Sequence, residues 1–158
     1  MSTTKKVRII PFTTDLKQYI KILNVEWLQK YFRIEDRDEI VLSNPQEEII
    51  DKGGLIYYAT YNDEIVGTVS LLKVSNTVYE LSKMAVTTTV QGLGIGKILL
   101  EHCFEIAKER NASKLILYSN RSLHSAIHLY RKYGFSEIPL EAGVYERADI
   151  KMEKVLVP

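Results

Sequence analysis

Early in the chain, apolar residues recur at intervals of three and four: Leu16, Tyr19, Ile20, Leu23, Trp27 and Leu28. That spacing puts them on one face of a helix. Thr13, Thr14 and Asp15 precede the run and are residue types that accept hydrogen bonds from a helix's first N–H groups, so a helix to about Phe32 is predicted. Before it, "KVRIIPF" (6–12) is short and β-branched, a first strand. A shorter helical region is predicted over 36–51, interrupted at Asn44-Pro45 and ended by Lys52-Gly53-Gly54. The pattern then changes. "GLIYYATYNDEIVGTVSLLKVSNTVYELSKMAV" holds two dense β-branched and aromatic runs joined by "NDE", and a third follows Ser75-Asn76. Joints this short connect antiparallel neighbours, because parallel strands need a crossover of about a dozen residues.

Helical spacing returns after a glycine-rich stretch, with Ile95, Ile98, Leu99, Cys103 and Ile106 on one face of a helix to about Arg110. "KLILYSN" (114–120) reads as a strand, "SLHSAIHLYRKYGF" as a helix stopped at Gly134, and "FSEI" and "ERADIKMEK" as closing strands. The order is β-α-α-β-β-β-α-β-α-β-β, an α+β fold with a mixed, mostly antiparallel central sheet flanked by helices. No repeat or linker divides the chain, so 1–158 is expected to be a single domain.

Composition narrows the classes. Lysine and arginine number 21 against 20 acids, a net charge of +1, so no overall field argues for nucleic acid or an anionic membrane. The single cysteine, Cys103, falls in an apolar helical pattern, which fits a reducing, cytoplasmic setting. The start, "MSTTKKVRIIPF", lacks an apolar core of signal-peptide length, and no stretch approaches the ~18 apolar residues of a membrane span.

The candidate chemistry begins at "QGLGIGK" (91–97). Gly92, Gly94 and Gly96 crowd the start of a helix although each disfavours it by about 1 kcal/mol relative to alanine. A helix N-terminus with unpaired N–H groups is an anion site, and removing side chains lets an anion come close. A P-loop is excluded, because Gln91 stands at its first glycine and Ile98 follows Gly96-Lys97. A dinucleotide fingerprint would need glycine where Lys97 stands and would follow a βαβ unit rather than a meander.

Gln91, Gly94 and Gly96 satisfy Q/R-x-x-G-x-G/A, and "SAIHLYRKYGF" (125–135) satisfies A-x-x-L-Y-x-x-x-G-F. With both motifs around a strand ending in "YSN", the chain resembles the GNAT superfamily of acetyl-coenzyme A-dependent N-acetyltransferases over about 54–153. The resemblance implies direct transfer of acetyl from acetyl-CoA to a primary amine, with no metal. It implies that the backbone of Gln91, Gly92, Leu93, Gly94, Ile95, Gly96 and Lys97 receives the pyrophosphate. It further implies that the strand 80–86 splays from 114–120, so that Met84, Ala85 and Val86 meet the pantetheine arm and Asn120 faces it from the other side. In many relatives an asparagine stands where this chain has Leu123, which leaves the role of Asn120 open. Tyr130 matches the family's general acid for the thiolate leaving group, and its ordinary phenol pKa near 10 keeps it protonated. An alkylamine is about 4 kcal/mol from its neutral form at pH 7. Glu80 matches a position where some members carry the base acting through water; water wires replace it in others. The alternative within the same fold is a non-catalytic CoA-binding regulatory or interaction domain.

The acceptor is less constrained. Residues 35–51 carry seven acids (Glu35, Asp36, Asp38, Glu39, Glu47, Glu48, Asp51) against Arg37, which suits either a cationic acceptor or a solvated face. Glu26, Trp27, Tyr145 and Arg147 are candidate acceptor contacts, with Arg147 suiting a carboxylate instead. His124 and His128 lie four apart with no acid or cysteine beside them to complete a metal site. Oligomeric state is left open, a homodimer among the options.

Overall fold

The computed structural model describes residues 6–156; the first five residues, part of the stretch read for a leader, lie outside it. Strands β1 (Val7–Pro11), β2 (Leu55–Tyr61), β3 (Glu64–Lys73), β4 (Val78–Val86), β5 (Lys114–Ser119), β6 (Ser136–Ile138) and β7 (Ile150–Val155) form one sheet in the order β1-β2-β3-β4-β5-β7-β6. Helices are α1 (Gln18–Tyr31), α2 (Asp36–Ser43), α3 (Ile95–Glu109) and α4 (His124–Lys132), with a π-helical turn at Gln46–Ile50 after the Asn44-Pro45 break. The expected element order and mixed, mostly antiparallel sheet are what the molecule adopts. Two boundaries differ. Thr14–Leu16 makes a 3₁₀ turn, so α1 starts at Gln18, and Thr13 caps that turn without a side-chain hydrogen bond. "ERADIKMEK" supplies a strand only from Ile150, its first four residues staying in the preceding loop.

The 3.6-residue period decides what each helix buries. On α1, Ile20, Leu23, Asn24 and Leu28 turn inward; Ile20 and Leu28 join Leu42, Ile49, Ile56 and Tyr58 on one side of the sheet. On the other side, Leu99, Leu100, Cys103, Phe104 and Ala107 of α3 pack on Val66, Leu71, Leu115, Leu117 and Met152. Burial of side chains such as Leu99 and Leu100 is worth about 1.5–3 kcal/mol each. Gly134, at φ +96°, ends α4 in the left-handed conformation glycine adopts freely. Among the described residues no helix is long and apolar enough to cross a membrane.

Two irregularities in the sheet position the site. β4 and β5 are its parallel neighbours, and they pair only over Val78↔Lys114, Tyr79↔Leu115 and Glu80↔Ile116. Beyond Glu80 the strands diverge into a V. β4 also bulges: Ser82 pairs with Ser70 and Ala85 with Thr68, so Lys83 and Met84 together face Val69. Lys83 takes φ +54°, uncommon for a residue with a side chain. Its carbonyl accepts a hydrogen bond (3.2 Å) from the buried amide of Asn24 on α1.

Candidate active site

The V opens onto a cavity of about 190 Å³, walled by Glu80, Lys83 and Met84 of β4, Tyr118 of β5 and Tyr130 of α4, among others. Glu80 is the last β4 residue to pair with β5, so its carboxylate stands at the vertex, 8% exposed. It accepts a hydrogen bond from the Tyr145 hydroxyl at 3.0 Å. Burial raises its pKa above the ordinary carboxylate value; the Tyr145 bond and the nearby Lys83 and Arg37 charges oppose the shift without cancelling it. Tyr130 faces the same cavity from α4, its ring edge-on to Phe135 at 5.8 Å. Burial pushes its phenol up to about 12, so it is a proton donor and not a phenolate at neutral pH.

The glycine turn lies at the open side of the V. Gly92 (φ +91°) and Gly94 (φ +77°) take left-handed conformations, and Gly94 caps α3 with no side chain closing its first turn. The first α3 bond after this cap is Ile98 N–H to Gly94 C=O, at 3.1 Å. The N–H groups of Ile95, Gly96 and Lys97 therefore belong to the unpaired start of the helix. A Cβ on Gly92, Gly94 or Gly96 would meet nothing within 4 Å. No packing explains the three glycines; they leave open space beside the unpaired N–H groups, which fits a pyrophosphate. Lys97 is exposed beside it, as are Gln91 and Leu93, whereas the side chains of Ala85 and Ile95 point into the core and leave only backbone for a ligand. Met84 lines the cavity, and Val86 ends β4 paired with Gly67.

Asn120 reaches the cavity wall with its amide engaged. It donates to the Arg147 carbonyl at 2.7 Å and accepts from the N–H (2.9 Å) and hydroxyl (2.6 Å) of Ser122, which fixes the turn after β5.

At the acceptor end Trp27, Tyr145 and Arg147 all line the cavity, but Glu26 does not. Its carboxylate instead accepts from the Thr87 hydroxyl (3.1 Å) and the Thr88 N–H (3.1 Å), tying α1 to the segment before the glycine turn. The opposing charge hints at Arg147 and in the 35–51 acids cancel each other. Arg147 grips Asp38 bidentately (2.7 and 2.9 Å) and donates to Glu35 at 2.7 Å, so it is not free for an acceptor carboxylate. Asp38, fully buried, also accepts from Lys83 Nζ (3.1 Å) and from the Glu35 N–H (2.9 Å), the latter as part of the capping of α2. Those four donors fill the four acceptor sites of a carboxylate. Burial alone would raise the Asp38 pKa; the Arg147 and Glu35 bonds and the Lys83 charge outweigh it and hold it at about 2. Lys83 has one carboxylate against nearly complete burial, and its pKa falls. Among the other acids Glu39 pairs with Lys21 and Glu48 with Lys52, both at the surface.

Lys83 and the aromatic wall of Trp27, Phe32, Tyr118 and Tyr145 were not all legible in advance. Lys83 had one signal: the adjacent polar pair Ser82-Lys83 breaks the alternation of the strand run that holds Glu80. His124 and His128 are exposed on α4.

A family model described as "Acetyltransferase (GNAT) family" matches residues 19–135. The uncharacterized N-acetyltransferase YvbK of Bacillus subtilis (strain 168) is 30% identical over 120 residues, spanning 72% of this chain and 77% of that protein. A GNAT-family acetyltransferase from Staphylococcus aureus Mu50 superimposes with a TM-score of 0.85 at 25% identity, over 96% of this chain and 99% of that one. A GNAT acetyltransferase from Elizabethkingia anophelis, solved with acetyl-CoA bound, gives 0.65 at 25% identity over 96% and 99%.

Proposed function

Since the chain belongs to the GNAT family of acetyltransferases, we propose that it transfers acetyl from acetyl-CoA directly to the primary amine of an acceptor. One observation carries this reading: the vertex of the V brings a buried carboxylate and a half-buried, protonated phenol to one cavity, below a turn emptied of side chains. The 91–97 turn holds the pyrophosphate through backbone N–H groups, with Lys97 adding charge from outside. The unpaired backbone of β4 beyond Glu80, including Met84 and Val86, is the edge along which the pantetheine arm lies. Acetyl-CoA supplies the activated acetyl group. Glu80, its proton affinity raised by burial, takes the proton of the incoming ammonium, directly or through one water. Tyr130 gives its proton to the departing sulfur. Asn120 orders the wall by holding the Arg147 carbonyl and the Ser122 turn, and its second Nδ2–H stays free of these bonds.

The test is Tyr130→Phe, which keeps the ring that packs on Phe135 and removes one oxygen. Turnover, followed as free-thiol release, should fall at least tenfold while acetyl-CoA affinity by calorimetry stays within about twofold. Unchanged turnover removes Tyr130 from the mechanism; loss of binding along with turnover makes it a coenzyme-positioning residue.

A further inference from the structure

We propose that Lys83 is a specificity-determining residue, its ammonium occupying the place of a second substrate cation, so that the acceptor is a small monoamine with an apolar, flat body. The inference rests on the acetyl-transfer reading and names the acceptor class for that same site.

The cavity's charges carry the argument. Around the Tyr145 ring stand three cations: Arg37, Lys83 and Arg147, at 5.3, 5.4 and 5.4 Å from its centroid. Three acids face them: Glu35, Asp38 and Glu80, so three positive and three negative charges balance. Asp38 has every acceptor site filled, and Glu35 is bound to Arg147 and to the Glu146 N–H. Glu80, bonded to the Tyr145 hydroxyl with the Ser82 hydroxyl beside it and to no cation, is the acid left to meet an incoming amine.

One amine therefore has one partner. A diamine would carry its second ammonium either toward Arg37, Lys83 and Arg147 or against Trp27, Leu28 and Phe32, and an unpaired buried charge is costly in both places. Arg37, which bonds no carboxylate among the described residues, does not line the cavity, so an amino-acid acceptor inside it would have to draw Lys83 or Arg147 away from Asp38, leaving a buried carboxylate short of partners.

Size and closure point the same way. The cavity, about 190 Å³, falls below the roughly 300 Å³ at which ligand pockets usually begin. The two segments that wall it, residues 32–38 leading into α2 and the loop 139–149, are tied to each other by Arg147 to Glu35 and Asp38 and by Arg33 to Glu146 (2.7 Å). Those ties would have to part before an extended peptide lay between the two segments.

The experiment measures kcat/KM for 2-phenylethylamine, spermidine, lysine and a short peptide with a free N-terminus, on the wild type and on Lys83→Met, which keeps stem length and removes the charge. The wild type should favour 2-phenylethylamine over each of the others by at least tenfold. Lys83→Met should raise the ratio of spermidine to 2-phenylethylamine at least tenfold, an exchange of preference that simple loosening of the fold does not produce. Thermal melts with and without acetyl-CoA accompany every sample. Stabilisation by acetyl-CoA together with a wild-type preference for spermidine, lysine or the peptide overturns this inference and leaves the acetyl-transfer reading standing. So does a folded Lys83→Met whose ratio is unchanged. If Lys83→Met does not fold, the wild-type ranking alone decides. Absence of both stabilisation and thiol release with every amine overturns the parent reading and this one with it.

Discussion

Moving a carboxylate out of water raises its affinity for a proton, and Glu80 is 8% exposed with only hydroxyl partners. A carboxyl whose folded-state pKa lies above its unfolded value binds its proton more tightly when folded. Between those two values the folded state is the more protonated, so stability falls as pH rises through the window and the loss persists at neutral pH. Glu80 is thus a stability cost that the site retains. Glu80→Gln, which keeps an oxygen for the Tyr145 hydroxyl, is expected to raise the melting temperature at pH 7 and to lower kcat/KM by about 10²-fold. In the wild type, kcat/KM should rise with pH through a limb above the ordinary glutamate value of 4.5, and the limb should vanish in Glu80→Gln. A pH-rate profile paired with melting curves checks both; a variant that loses stability and keeps its acid limb places the base elsewhere.

At the scale of elements, the junction of β4, the glycine turn and α3 yields a test that separates packing from binding. Gly96 lies inside α3 with no positive φ and nothing within 4 Å of a Cβ built there. Gly96→Ala should stabilise the ligand-free protein by about 0.5–1 kcal/mol through helix propensity. If the turn holds the pyrophosphate as proposed, the same methyl stands in its place and acetyl-CoA affinity should drop at least tenfold, read by calorimetry beside urea melts. Greater stability with unchanged affinity would make this a bare turn. This turn was legible in the sequence because glycine spacing is local, as were the helices and the meander, whose periods of 3.6 and 2 are written in neighbouring residues. The pairing of Asp38 with Lys83 and Arg147 was not. Those partners are 45 and 109 positions apart, and each residue alone looks like an ordinary surface charge. The bulge that turns Lys83 inward is likewise set by the match between β3 and β4 and by Asn24, not by the composition of "YELSKMAV". That is why acids and Arg147, read separately, suggested opposite acceptors.

For the whole molecule, Asp38 is the point where α2, β4 and the loop 139–149 are fastened together. Its folded pKa of about 2 lies below the ordinary 3.8. A depressed carboxyl stabilises above the unfolded value and loses that contribution as pH falls through the folded one. Between about pH 4 and 2 the wild type should therefore lose on the order of 2 kcal/mol through this residue. Asp38→Asn is expected to flatten that part of the acid limb and, by stranding Lys83 and Arg147, to cost about 3–5 kcal/mol at neutral pH. Urea titrations at stepped pH measure both; an unchanged acid limb would mean that the fastening lies elsewhere.

The three-residue parallel contact between β4 and β5 has a consequence for how the chain folds. β2, β3 and β4 follow one another through tight turns, whereas β5 reaches β4 only after the whole of α3 has been placed. Local pairings close faster than those separated by a long stretch of chain. The meander is therefore the early-forming half, and β5, β6 and β7 are the later one. The line between β4 and β5 is the seam where the two halves join last and part first during partial opening. A molecule seated in that seam touches both halves, so occupancy couples their unfolding. Bound substrate is therefore expected to sharpen the cooperativity of the whole sheet, seen as hydrogen exchange in β5 and β7 slowing toward that of the meander.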